Sequence, residues 1–179
     1  MPVLFLPVHA VFQLSLQNDA DLPLPCVISG SICAGLLSLY GSQYPAALGI
    51  PELKHEASRF VKAFLDVDIT PRSCIPTVGS VAGSFGSFIA CTQRTPGKNK
   101  VLFIDPGFPI QKSQLRIIGA EWKQFDIFAH RGAGLRTKLE EMLAAGDVAA
   151  IIYSNPNNPA WICLEQEELK VIGELATKY

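Results

Sequence analysis

Three short segments of this chain place polar or aromatic groups next to apolar runs. The first contains Gly79 and Ser80, the second contains Phe108, and the third contains Asn158. A helix that opens at Gly79 and Ser80 would present N–H groups and a dipole that favour a phosphate. A ring at Phe108 could stack on a flat heterocycle, and the Asn158 amide could donate to a phenolic or carboxylate oxygen.

Each of these groups also has a plain structural interpretation. Ser80 could cap a helix, Phe108 could be a core residue beside a turn, and Asn158 could form a turn in its own segment. Taken together, the three groups fit a phosphorylated aromatic cofactor better than a metal ion or a nucleotide. A nucleotide-binding domain is disfavoured because the glycines after Val78 are not spaced as Gly-x-Gly-x-x-Gly, and no Gly-Lys-Ser/Thr loop is present.

Alternating apolar and amphipathic stretches predict the elements that would position these groups. The runs Lys100–Asp105 and Ala149–Tyr153 predict buried parallel strands, and ligands bind outside the carboxyl ends of such strands. Helices are expected over 51–65, 78–91, 109–120, 135–145 and 165–179, with a short strand over 123–129 and a strand end over 73–77. The pattern predicts an irregular N-terminal segment over 1–50. Residues 51–179 are predicted to form a partial α/β domain, a three-layer sandwich with a mostly parallel sheet.

Composition excludes several classes of partner. The net charge of −1 offers no basic face, so we expect no nucleic acid partner. Prolines and glycines interrupt the uncharged span over 22–51, and no Lys or Arg precedes the apolar N-terminus, so we expect neither a membrane helix nor a signal peptide. The five cysteines form no Cys-x-x-Cys pair, which favours reduced thiols, no metal and a cytoplasmic protein.

From about Tyr40 to Tyr179 the chain resembles the class I/II aminotransferases of pyridoxal-phosphate fold type I. The motifs that carry the resemblance appear in the family's order: Tyr44-Pro-Ala-Ala-Leu-Gly-Ile-Pro-Glu-Leu53, Pro76-Thr-Val-Gly-Ser80, Asp105-Pro-Gly-Phe-Pro109 and Asn155-Pro-Asn-Asn-Pro159. Each motif is weak alone, but their order and spacing together are specific. The resemblance implies the large domain of those enzymes, incomplete in this chain.

The resemblance also implies the cofactor pyridoxal 5'-phosphate and a role for particular residues. The backbone N–H groups of Gly79, Ser80 and Val81 would hold the cofactor phosphate. Phe108 would stack on the pyridine ring, and Asn158 would hydrogen-bond the phenolic oxygen. No metal ligand is implied.

The activity implied by the resemblance is amino-group transfer between an amino acid and a 2-oxo acid, within amino acid metabolism. The enzyme would be a homodimer in which Tyr44 reaches the phosphate of the neighbouring subunit. Two alternatives stay open: a pyridoxal-phosphate lyase or decarboxylase of the same fold, and a non-catalytic truncated or split product. The family usually has Thr-Gly after the last Asn-Pro, whereas this chain has Ala160 and Trp161.

The family's reaction needs a lysine that bonds covalently to the cofactor and moves a proton. The resemblance implies that this lysine comes after the helix ending at Tyr179, and the lysines of this chain are interpreted as solvated surface residues. We therefore expect no catalytic residue in residues 1–179 and no transamination by them alone. Borohydride trapping checks this: a stoichiometric cofactor–lysine adduct together with turnover of an amino acid would contradict it.

Overall fold

The computed structural model describes residues 47–179, which form two compact units, 47–77 and 78–179. Tyr44 lies outside these residues, so its implied role stays a prediction, as does the expected domain boundary at residue 50. Within the described part of the chain, no helix is both long and apolar enough to cross a bilayer.

The first unit contains helix α1 (Pro51–Leu65) and a 3-10 turn (Pro71–Ser73). Proline suits the start of α1 because an N–H at the first helical position would have no partner within the helix. The strand end expected over 73–77 is wrong, because this stretch has no strand pairing. Pro76 interrupts it, and a proline cannot donate to a strand ladder.

Gly49 belongs to the motif that begins at Tyr44, and its contact with Pro76 explains why this position is a glycine. Gly49 has a φ of +95°, and a Cβ built on it would lie 2.6 Å from the Pro76 Cγ. Both the backbone angle and the close contact exclude a side chain there. The glycine in this motif therefore has a structural cause within the first unit.

The second unit alternates helices and strands. In chain order it contains α2 (Gly79–Arg94), β1 (Lys100–Asp105), α3 (Ile110–Ile117), β2 (Glu121–Asp126), a 3-10 turn (Ile127–His130), α4 (Ala133–Leu143), β3 (Val148–Ile152) and α5 (Gln166–Lys178). The three strands are parallel and lie in the order β2-β1-β3. The strand expected over 123–129 starts earlier, at Glu121, which pairs with Lys100 of β1. It also ends earlier, because the Asp126 carboxylate accepts from the Phe128 N–H and closes a turn.

Helices cover both faces of this sheet. On β1, Leu102 and Ile104 pack with the apolar residues of α4 and α5, whereas Val101 and Phe103 pack with α2 and α3. All four side chains are buried, as expected for a central strand covered on both faces. The expected three-layer α/β sandwich with a parallel sheet is confirmed, and it places the ends of β1 and β3 side by side.

Candidate functional site

The candidate site lies where β1 and β3 end. Phe103 pairs with Ile152, so the loops that follow the two strands leave the same edge of the sheet. The first loop runs from Pro106 to Pro109 and the second from Tyr153 to Glu165. The peptide bonds Asp105-Pro106, Asn155-Pro156 and Asn158-Pro159 are cis.

Asn157 joins the two loops. Its side chain is only 7% exposed. The Nδ2 group donates to the Pro106 carbonyl at 2.8 Å, and Oδ1 accepts from the Ala160 N–H at 3.1 Å. The Asn157 backbone also bonds to the backbones of Trp161 and Ile162. One buried amide therefore holds the second loop in shape and ties it to the first.

Phe108 and Asn158 both face solvent at this edge. The Phe108 side chain is 49% exposed, which excludes the alternative of a core phenylalanine. The amides that shape the turn are those of Asn157 and Asn155, whose Oδ1 accepts from the Leu164 N–H at 2.9 Å. Among residues 47–179, the Asn158 side chain makes no hydrogen bond, so its amide is available to a ligand.

The first turn of α2 is the third part of the candidate site. The helix begins at Gly79, which has a φ of +73°, and Val78 is its capping residue. Ser80 therefore lies inside the first turn and is not the cap. Gly79 and Val81 are exposed and Ser80 is partly exposed, so solvent reaches all three. The N–H groups of Ser80 and Val81 lie in the first turn, where an N–H has no partner within its own helix.

A buried polar cluster fixes this first turn. Gln114 of α3 donates from Nε2 to the Val81 carbonyl at 2.7 Å. The Ser84 hydroxyl lies 2.8 Å from the Gln114 Oε1 and 3.0 Å from the same Val81 carbonyl. Both Ser84 and Gln114 are buried. Because α3 starts directly after Phe108 and Pro109, the cluster links the first turn of α2 to the loop after β1.

One lysine stands close to this edge. Lys112 donates to the Asp105 carboxylate at 2.6 Å, and its ammonium lies 5.3 Å from the centre of the Phe103 ring. Both partners of the ion pair are largely covered. The interpretation of the lysines as solvated is therefore too simple, because Lys112 and Lys123 are partly buried and paired with Asp105 and Asp147.

A second buried cluster holds the start of α5. The Glu168 carboxylate is 3% exposed. It accepts from the Arg131 guanidinium and the Gly132 N–H, both at 2.7 Å, and from the Glu165 N–H at 2.8 Å. Arg131 also donates to the Cys163 carbonyl. This cluster connects the end of the second loop to the start of α4.

Trp161 occupies the position where the resembling family usually has glycine. Its φ is +53°, in the left-handed region that favours glycine, and its side chain is 84% exposed. The loop accommodates the indole by pointing it outward. Trp161 therefore destabilises the loop through its left-handed backbone conformation rather than through poor side-chain packing.

We expect Trp161→Gly to stabilise the protein by about 0.5–1 kcal/mol, because relief of the left-handed backbone exceeds the added freedom of the unfolded chain. Trp161→Ala is the matched control, since it removes the same exposed ring but keeps a Cβ. Urea unfolding midpoints measure both variants. A glycine variant no more stable than the alanine variant would contradict the expectation.

The structure thus brings Phe108 and Asn158 to one edge and links the first turn of α2 to it. Sequence reasoning missed Asn157, Gln114 and Glu168. Only Glu168 carried a local signal, because Glu165 and Glu168 have the spacing of a capping box at the start of a helix.

Known proteins match most of the chain. The sequence profile described as aminotransferase class I and II matches residues 23–179. A valine–pyruvate aminotransferase from Mycobacterium tuberculosis is 27% identical over 162 residues, covering 88% of this chain and 39% of that protein. An S-alkyl-thiohydroximate lyase from Arabidopsis thaliana is 25% identical over 138 residues, covering 77% of this chain and 29% of that protein.

Solved structures share the fold. An aminotransferase from Eubacterium rectale superposes with a TM-score of 0.67 at 19% sequence identity, covering 88% of this chain and 39% of that one. A second, from Mycobacterium tuberculosis, gives a TM-score of 0.66 at 24% identity, with 88% and 40% covered. The chain therefore spans well under half the length of these relatives. Its fold is part of the fold type I architecture.

Proposed function

This chain belongs to the aminotransferase class I and II family, and we propose that it carries part of a pyridoxal 5'-phosphate site. The enzyme it serves would transfer an amino group between an amino acid and a 2-oxo acid. The family's reaction is the reason for naming this cofactor, and the residues at the edge of the sheet fit it.

The observation that carries the proposal is the physical connection of three segments with different chemistry. Asn157 ties the loop after β3 to the loop after β1. Gln114 ties the first turn of α2 to α3, which continues from the loop after β1. A donor for an oxygen, an exposed ring and helical N–H groups are thereby held on one framework.

Each part of this framework has a definite task in the proposal. The N–H groups of Gly79, Ser80 and Val81 would bind the phosphate, helped by the positive end of the α2 dipole. Phe108 would orient the heterocycle by stacking, and Asn158 would donate to its phenolic oxygen. When bound, the cofactor supplies the electron-accepting ring on which the chemistry depends.

Equilibrium dialysis of the chain with pyridoxal 5'-phosphate and with pyridoxal tests the proposal. The phosphate should improve affinity about tenfold or more, because charge-assisted hydrogen bonds are worth about 1.5–3 kcal/mol each. NAD and ATP should not compete. Equal affinity for the two pyridoxal compounds, or displacement by NAD, would refute the proposed site.

Two phenylalanines provide a matched comparison in the same assay. Phe108→Ala should weaken binding of the cofactor about five- to tenfold, since an aromatic contact is worth about 0.5–1.5 kcal/mol beyond its buried area. Phe128 is equally exposed, at 49%, but follows β2 instead of β1. Phe128→Ala should leave the affinity unchanged. Equal losses in both variants would argue against stacking on Phe108.

The finer properties of the whole protein are proposals as well. A homodimer would bring Tyr44 of one subunit to the cofactor phosphate of the other. Sedimentation of wild type and Tyr44→Phe at several cofactor concentrations would test this. A cytoplasmic location is supported by the unpaired thiols of Cys74, Cys91 and Cys163. A role in amino acid metabolism follows from the proposed amino-group transfer. Fractionation of cells that express the whole protein would check the location.

A lyase of the same fold is the second candidate, because the Arabidopsis relative is a lyase. The two activities differ in their products. A transferase converts a 2-oxo acid into an amino acid at the expense of a second amino acid, whereas a lyase cleaves one substrate with no acceptor. Product analysis of the whole protein, with and without a 2-oxo acid, would separate them.

A further inference from the structure

Asn157 is placed to act on both loops of the candidate site at once. It is buried, and it lies between the two Asn-Pro pairs of the loop after β3. Its Oδ1 accepts from the Ala160 N–H of its own loop, whereas its Nδ2 donates to the Pro106 carbonyl of the other loop. Phe108 is two residues beyond Pro106, and Asn158 is the next residue after Asn157.

We propose that Asn157 is a positioning residue that couples Phe108 and Asn158, so that the ring contact and the oxygen contact of the cofactor form together. This inference rests on the proposed function for the identity of the ligand. The coupling of the loops is a property of the free protein. Binding costs less conformational entropy when the two loops are already held in place than when the ligand must order them.

The donor role of Nδ2 distinguishes Asn157 from its neighbour Asn155. Asn155 uses its Oδ1 to accept from the Leu164 N–H, and this bond stays within the second loop. An Asn→Asp substitution keeps such an acceptor. At Asn157 the same substitution replaces the donor to Pro106 with a carboxylate oxygen, which faces a carbonyl oxygen and repels it.

The experiment compares Asn157→Asp with Asn155→Asp, which adds the same charge two residues away. Gln111 and Lys112 donate their N–H groups to the carbonyls of Phe108 and Pro109, so their exchange reports on the first loop. Hydrogen exchange of the free chain at pH 8 should be faster at Gln111 and Lys112 as well as over 157–162 in Asn157→Asp. In Asn155→Asp, Gln111 and Lys112 should exchange as in wild type. Faster exchange confined to the second loop in Asn157→Asp would overturn the inference.

Cofactor binding and pH supply a second readout. At pH 8, Asn157→Asp should bind pyridoxal 5'-phosphate about tenfold more weakly than Asn155→Asp. Near pH 5.5 this difference in affinity should narrow, because burial and the facing Pro106 carbonyl raise the pKa of a carboxyl at this position, and a protonated carboxyl can again donate to that carbonyl. The neighbouring Asp105 is paired with Lys112, and neither substitution changes a residue of that pair. A gap that is absent at pH 8, or unchanged by acid, contradicts the coupling.

These experiments distinguish failure of the proposed function from failure of the proposed coupling between the loops. If wild type binds no pyridoxal 5'-phosphate, the proposed function fails, while the exchange at Gln111 and Lys112 still decides the coupling. If Asn157→Asp does not fold, Asn157→Ser replaces it, since a hydroxyl can accept from the Ala160 N–H but is too short to reach Pro106. That variant should show the same faster exchange in both loops, without rescue by acid.

Discussion

Glu168→Gln is expected to lower the free energy of unfolding by about 3 kcal/mol, because it breaks a buried charge pair. The substitution removes the charge that faces Arg131. It also turns one carboxylate oxygen into an NH2 group opposite a backbone N–H, either that of Gly132 or that of Glu165. Chemical denaturation of both proteins at pH 7 measures the loss.

Glu167→Gln is the matched control for this prediction. Glu167 is adjacent in α5 and highly exposed, and its carboxylate lies 3.9 Å from the Lys170 ammonium. An exposed pair of this kind contributes about 0–1 kcal/mol, so the control should stay close to wild type. Similar losses in the two variants would show that the buried network is not the cause.

Acid should remove the difference in the free energy of unfolding between wild type and Glu168→Gln. Burial alone raises the pKa of Glu168, but hydrogen bonds from Arg131, Gly132 and Glu165 outweigh it and bring the pKa below its ordinary value of 4.5. A carboxyl with a lowered folded pKa stabilises the protein above its unfolded pKa. That contribution is lost as the pH falls through the folded pKa. The difference should be full at pH 7 and shrink below about pH 4.

Ser84→Ala is the second large effect that we expect. It should cost about 2 kcal/mol of stability, because the buried Gln114 Oε1 loses its donor. Loosening of the Val81 carbonyl should also reduce the preference for pyridoxal 5'-phosphate over pyridoxal. Urea unfolding and equilibrium dialysis measure the two consequences.

Ser87 offers a control within the same helix. Within residues 47–179, its hydroxyl bonds only to the Gly83 carbonyl one turn earlier in α2. Ser87→Ala should therefore change stability by no more than about 0.5 kcal/mol and leave the phosphate preference intact. If Ser87→Ala and Ser84→Ala lose the same preference, general loosening of α2 would explain the result, and the Gln114 cluster would not.

The framework of the fold was predictable from local patterns. The apolar run over β1 and the alternation of strands and helices indicated a parallel sheet with helices on both faces, and Asp105–Pro109 marked the loop that carries Phe108. These predictions succeeded because each depends on residues close together in the chain. The prediction of a strand end over 73–77 was wrong, because apolar residues beside prolines give the same sequence pattern in a strand and in an extended loop.

The contacts that hold the candidate site were not predictable in the same way. Asn157 and Asn158 are identical and adjacent, and nothing local tells which amide turns inward. Gln114 and Glu168 are polar residues on helices, where exposure is the ordinary expectation. Their partners Val81 and Arg131 are 33 and 37 residues away, so only the folded chain reveals them.

The exposed indole of Trp161 gives the loop after β3 an optical signal of its own. The chain has two tryptophans, and the other, Trp122, lies partly buried on β2. Trp122→Phe would leave a single tryptophan as emitter, three positions after Asn158. A bound chromophore that absorbs in the near ultraviolet would quench that emitter by energy transfer, which falls steeply with distance. Steady-state emission could then report occupancy of this one loop in real time.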